Sequence, residues 1–180
     1  MKRLLALALA ACHGLALAQI KSDWEIEEER RNWKEREIQL PAYPRSGNLA
    51  EFYVSAGTDF RFFIDRQSIS VGADGVVRYT SVARSSSGAE NVSYEGIRCS
   101  AGMVRIYAHG RPGATWSRSE SDWRPIEQKA LQRYHHALWS DYFCPHRVPI
   151  GDVREGLDAL VRGGHPNVGA GAAGMPDVKY

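Results

Sequence analysis

The chain has 180 residues, 43% of them hydrophobic and 24% charged, with a formal net charge of +2. That length builds one domain with its own core and is short for two. Loss of the first 18 residues leaves 21 basic against 21 acidic side chains, and a neutral mature chain argues against a nucleic-acid binder, whose affinity rests on phosphate neutralisation.

The N-terminus reads as an export signal. Lys2-Arg3 is a positive n-region, Leu4 to Ala18 is apolar but for His13, and Ala16-Leu17-Ala18 precedes Gln19. This fits a signal peptide over 1–18 cleaved after a small-x-small triplet. The run is too short and wrongly flanked for a spanning helix. A second processing reading competes: Leu9-Ala10-Ala11-Cys12 resembles a bacterial lipobox. Cleavage after residue 11 would then leave Cys12 acylated and tie the chain to the outer membrane. Either way the expectation is a periplasmic protein, touching membrane only through such a lipid.

Residues 19–48 form a charged arm. Glu27 and Arg31 have the i,i+4 order that supports a helix. Trp24, Ile26 and Trp33 break the charge run; they pack on their own domain or, in a sharper reading, dock a partner. Leu40-Pro41-Ala42-Tyr43-Pro44 is extended, because proline steers its predecessor away from helix.

The domain proper spans 49–162. Glu51 to Ser55 is a first strand. Phe60 to Asp65, Ser68 to Val71 and Val76 to Ala83 alternate aromatic or β-branched residues with polar ones. Asp74-Gly75 turns between the last two. Asn91 to Cys99, Met103 to His109 and Ala114 to Ser117 complete the strand pattern, joined by short connections that favour antiparallel neighbours. The pattern then changes to helix. Starting near Trp123 to Pro125, Leu131, Tyr134, Leu138 and Tyr142 recur on one helical face up to Cys144-Pro145. Asp152 to Arg162 is a second short helix, with Val153, Leu157, Leu160 and Val161 inward and Gly163-Gly164 as its stop. Residues 163–180 form a Gly/Ala-rich disordered tail. The fold class is α+β: a single, meander-like antiparallel sheet of five or six strands packed against a C-terminal helix.

Two cysteines, Cys99 and Cys144, remain in the folded domain. In an oxidising compartment they form one disulfide. Closing a loop of about 46 residues is worth roughly 4 kcal/mol in the chain-entropy model.

Chemistry-bearing motifs are sparse. His135, His136, Asp141, Cys144 and His146 crowd together, but adjacent helical histidines diverge and an oxidised cysteine is no ligand; no metal and no other cofactor is expected. Cys144 as a nucleophile with His146 as its base is opposed by the same bridge. Asp65, Asp74, Glu90 and Glu95 fall near strand ends or loops; a pair of them at the right separation would serve glycoside hydrolysis, and the plainer reading is a solvated charged edge. Arg61, Arg78, Arg98 and Arg105 fall one to a strand. Lined up on one sheet face, they would bind an anionic envelope ligand or an acidic segment of an envelope protein; otherwise they pair with Asp65, Glu90 and Glu95 on a polar face.

Phe63-Ile64-Asp65, Ser68 to Gly72, Asp74 to Tyr79 and Asn91 to Cys99 resemble the cryptic neisserial protein one-like family, bacterial envelope proteins without an established reaction. Trp24-Glu25, Leu40-Pro41 and Phe52 to Ser55 extend the likeness over Trp24 to Cys144. The resemblance implies a periplasmic lipoprotein and adds weight to Cys12. More distantly, the strand order is similar to the surface-adhesin protein E domain. Neither likeness supplies catalytic residues. The expected role is a non-enzymatic binding or envelope-maintenance module. An adhesin-like surface lipoprotein and a small periplasmic hydrolase are the alternatives.

Overall fold

The computed structural model describes residues 22–130 and 133–168. The expected signal peptide, Cys12, Leu131 and the end of the tail lie outside them. Contacts divide the chain between Lys34 and Glu35. In the first unit, helix α1 covers Asp23–Asn32. Ser22 caps it: its hydroxyl accepts from the Glu25 amide while the Glu25 carboxylate accepts from the Ser22 amide at 2.7 Å. Trp24 is 65% exposed.

The second unit is built on an antiparallel sheet. Its strands are β1 (Leu49–Phe52), β2 (Arg61–Asp65), β3 (Ser70–Val71), β4 (Val76–Arg84), β5 (Glu90–Arg98), β6 (Met103–Arg111), β7 (Thr115–Arg118) and β8 (Arg124–Pro125). The main path runs β1-β2-β4-β5-β6-β7, with β3 pairing β4 and β8 pairing β6. Six strands in near-sequential order match the expected meander. The extra pair at β8 occupies residues expected to begin a helix. At the β3–β4 turn the Gly75 amide donates to the Gly72 carbonyl at 2.9 Å, with Gly75 at φ 74°, a backbone that glycine adopts at little cost.

One sheet face carries Val77, Tyr79, Ile97 and Val104 into the main core. Helix α2 (Arg133–Ala137) lies there and widens into a π turn over Leu138–Phe143. Leu138, Tyr142 and Phe143 are buried, Phe143 against Tyr79 with ring centroids 5.4 Å apart. The Tyr142 hydroxyl spans the Tyr53 backbone, accepting from its amide at 3.1 Å and donating to its carbonyl at 3.2 Å. Helix α3 (Val153–Arg162) is capped by Asp152 and closed by left-handed Gly163, as its sequence predicts. Its inward side differs from the expectation: Ala159 and Leu160 are buried and Val161 is 75% exposed. His165 is also buried, its Nδ1 accepting from the Asn167 amide at 3.1 Å and its Nε2 2.8 Å from Glu155.

The Cys99–Cys144 disulfide joins the end of β5 to the end of the π turn, Cα atoms 5.3 Å apart. Both cysteines are buried, and the Trp139 indole donates to the Cys99 carbonyl at 3.1 Å beside them. Cys99→Ser together with Cys144→Ser is expected to lower unfolding free energy by about 2–4 kcal/mol. Urea denaturation of the oxidised and doubly substituted chains measures it; coincident midpoints would show the bridge to be energetically idle.

Candidate functional site

The register settles which arginines share a face. Arg78 lies opposite Gly96, and Gly96 opposite Arg105. Arg98 lies opposite Val76, and Arg61 opposite Arg84. Because side chains alternate along a strand, all four predicted arginines stand on the face away from α2. They do not form one open stripe. Arg61 is an exposed partner of Glu51, its Nε donating at 2.8 Å. Arg98 is half-buried towards the end of β5. Arg78 and Arg105 converge in the middle.

What they converge on is Glu35. Arg105 Nη1 donates to Glu35 Oε2 at 2.7 Å, and the Trp123 indole donates to the same oxygen at 3.2 Å. The Tyr107 hydroxyl donates to Oε1 at 2.6 Å, with Arg78 Nη2 3.7 Å from that atom. Arg78 is itself forked onto Asp74, at 2.5 and 3.2 Å. Arg105 is aimed by a second bond, Nε to the Ser121 carbonyl at 2.9 Å. Burial disfavours the Arg78 cation, but Asp74, Tyr107 and Glu35 outweigh it and raise its pKa. Burial first, then the bond to Glu35, push the Tyr107 phenol far up, so it serves as a donor.

Two local features shape this cradle. Gly96 is the gap between the two arginines, and a Cβ there would lie 2.9 Å from two carbons of the Tyr107 ring. Only glycine leaves the ring its place. A bulge makes Tyr107 the extra residue of β6 opposite Tyr94 and Glu95, which keeps Arg105, Tyr107 and Ala108 on one face. Tyr94, Tyr107 and Ala108 then form a second small core with Ile38, Leu40, Trp116 and Trp123. Residues Glu35 to Tyr43 cross it as a strap. The Trp116 indole donates to the Pro41 carbonyl at 2.9 Å, and Tyr43 lies 5.1 Å from the Trp116 ring.

The four acids read from the sequence as a solvated edge divide differently. Glu90 is exposed and pairs with Arg84. Asp65 is buried, its carboxyl raised by desolvation, beside a cleft of about 230 Å³ that Tyr43, Arg45, Asn48 and Ser68 also line. Asp74 is sealed against Arg78. Glu95 is wholly buried on the α2 side. Its Oε1 accepts from Ser93 (2.5 Å) and Tyr134 (2.9 Å), and its Oε2 faces Tyr79 (3.1 Å) and His135 Nε2 (3.0 Å). His135 Nδ1 is buried with no partner. Burial works to raise the Glu95 carboxyl, but His135, Ser93 and Tyr134 hold it below the usual carboxylate range. Their geometry is that of a clasp between sheet and helix.

Of the four arginines singled out from the sequence, Arg78 and Arg105 meet at Glu35, and the sequence reading assigned neither Glu35, Asp74, Tyr107 nor Trp123 as their partners. Tyr107 falls two residues from Arg105 on its own strand and was within reach of an alternation argument. Glu35 lies 70 residues from Arg105 and carries no such signal.

The family model described as the CNP1-like family matches residues 28–161. The chain belongs to this family. The match takes in the cradle, the clasp and both cysteines. No curated protein and no solved structure gives a significant match. Among the described residues no helix is long and apolar enough to cross a membrane. In this CNP1-like chain, Glu95→Gln is expected to cost about 3–5 kcal/mol at neutral pH by leaving buried partners unpaired. A carboxyl with a depressed folded pKa stabilises above its unfolded value, near 4.5, and loses that contribution as pH falls through the folded value. The gap between wild type and Glu95→Gln in chemical denaturation should therefore narrow below about pH 4; a pH-independent gap would remove the charge from the account.

Proposed function

We propose that this chain is an exported bacterial envelope protein, a periplasmic binding module without enzymatic activity, whose arginine face recognises an anionic group on an envelope partner. The observation that carries the reading is the convergence of Arg78, Arg105, Tyr107 and Trp123 on one carboxylate. Every side chain reaching that carboxylate is a donor, two of them cationic, which is the chemistry of anion recognition rather than of proton transfer. Export is supported by Lys2-Arg3 with the apolar run to Ala18 and by a buried disulfide, a bond that persists in oxidising compartments.

Cross-linking in intact cells followed by capture of the tagged chain tests the reading. Wild type should give a discrete adduct that Arg78→Ala plus Arg105→Ala loses. Arg105→Lys, which keeps the charge and loses the planar fork, should retain a weaker one. Formation of the disulfide in each variant reports folding. An adduct pattern identical in wild type and in the folded double variant would overturn the arginine face as the binding surface.

A further inference from the structure

The strap is held in an unusual way for a segment lying on a sheet. Among the described residues, Glu35 to Pro44 make no main-chain hydrogen bond to another main-chain group. Their attachments run through side chains: the Glu35 carboxylate, the Arg36 amide on Asp74 at 2.9 Å, Ile38 and Leu40 on the aromatic floor, the Pro41 carbonyl under Trp116 and the Tyr43 ring. A segment outside the ladder opens without breaking strand pairing, so its opening free energy is drawn from the low end of the fold's range. Its N-terminal end, Glu35, is also where the second unit begins. Peeling from that end leaves β1 and its register with β2 untouched.

The strap also records what the face accepts. Each oxygen of Glu35 has its own donors, so the cradle fits a planar two-oxygen anion. Three residues on, Ile38 enters the cluster of Tyr94, Tyr107, Trp116 and Trp123, and Leu40 follows it. An acidic residue with apolar residues at +3 and +5, in a segment outside any helix or strand, is a peptide specification: charge in the cradle, two apolar anchors on the floor.

Building on the binding reading above, we propose that this cradle is the docking site for an acidic, extended segment of a partner protein. Glu35 and its strap are the internal copy of that ligand and occupy the site until the partner segment displaces them. A ligand tethered in the same chain competes at high effective concentration. Wild type is therefore a weak binder in isolation, and removing the Glu35 carboxylate unmasks the site.

The test uses the mature chain and a fluorescent peptide with the sequence of residues 35–43, read by anisotropy. Glu35→Ala and the more conservative Glu35→Gln should each bind it at least about tenfold tighter than wild type, the scale of losing charge-assisted hydrogen bonds. Adding Arg105→Ala, or placing Gln first in the peptide, should reverse that gain. Disulfide formation and a cooperative melt in each variant confirm folding. Equal binding by wild type and both Glu35 variants would overturn self-occupancy while leaving the anion-binding face in place. No binding by any folded chain would overturn the peptide as ligand class, and the cross-linking result then stands or falls separately. A wild-type dimer by sedimentation that the peptide cannot dissociate would assign the strap's place to a second copy and overturn the partner segment.

Discussion

Two opposite charges are buried back to back at the centre of the sheet, and the rest of the chain is arranged to neutralise them. Tyr79 faces Glu95 on one side of the β4–β5 pair; one residue earlier, Arg78 faces Gly96 on the other. Glu95 is 0% exposed and Arg78 6%. An unpaired charge at such depth costs several kcal/mol, so neither strand can hold its place alone. Glu95 draws His135 and Tyr134 from α2. Arg78 draws Asp74 from the β3–β4 turn and Glu35 from the strap. Helix and strap are thus recruited to opposite faces by the same pair of strands.

The two faces differ in how firmly their covers are fixed. On the α2 side, polar pairing, a continuous aromatic and aliphatic core and the Cys99–Cys144 bridge all act together. The bridge ties the last residue of the β5 region to the residue following the π turn, so the cover cannot leave without the sheet. On the other face the apolar cluster is small and the cover has neither a covalent tie nor a ladder. The asymmetry follows from chain order. Cys144 comes after the sheet and can return to it, whereas the strap enters from the exposed, highly charged segment around α1.

Much of this was legible from residue pattern, and the failures share a cause. Alternation located the long strands because one face of each is apolar. Asp152 and Gly163 marked the ends of α3 through local hydrogen bonds and a left-handed residue. The cysteine pair followed from there being two left in the folded domain. The clasp was missed because a glutamate in a strand reads as solvent-facing, although Glu95 stands in phase with Ile97 and so on the apolar side. Val161 was misplaced because a ten-residue helix with Ala159 and Gly156 facing the core buries small residues that a hydrophobic count overlooks. The π turn lengthens the helix by a local change of winding that a 3.6 period cannot represent. The strap was read as part of a charged arm because its fixed points are single side chains meeting partners far away in sequence.

That last failure bears on function. A segment seated only by side chains leaves little trace in its own periodicity, and the same property makes it exchangeable. Main-chain ladders are indifferent to sequence; a carboxylate in a two-arginine cradle with apolar residues at fixed offsets is not. If the covering of this face were purely structural, an apolar residue at position 35 with apolar partners in place of Arg78 and Arg105 would do as well or better, since buried ion pairs give little net stability over hydrophobic packing. Five polar side chains there, counting Glu35 with its four donors, fit the proposed surface, one that recognises a charge and releases it.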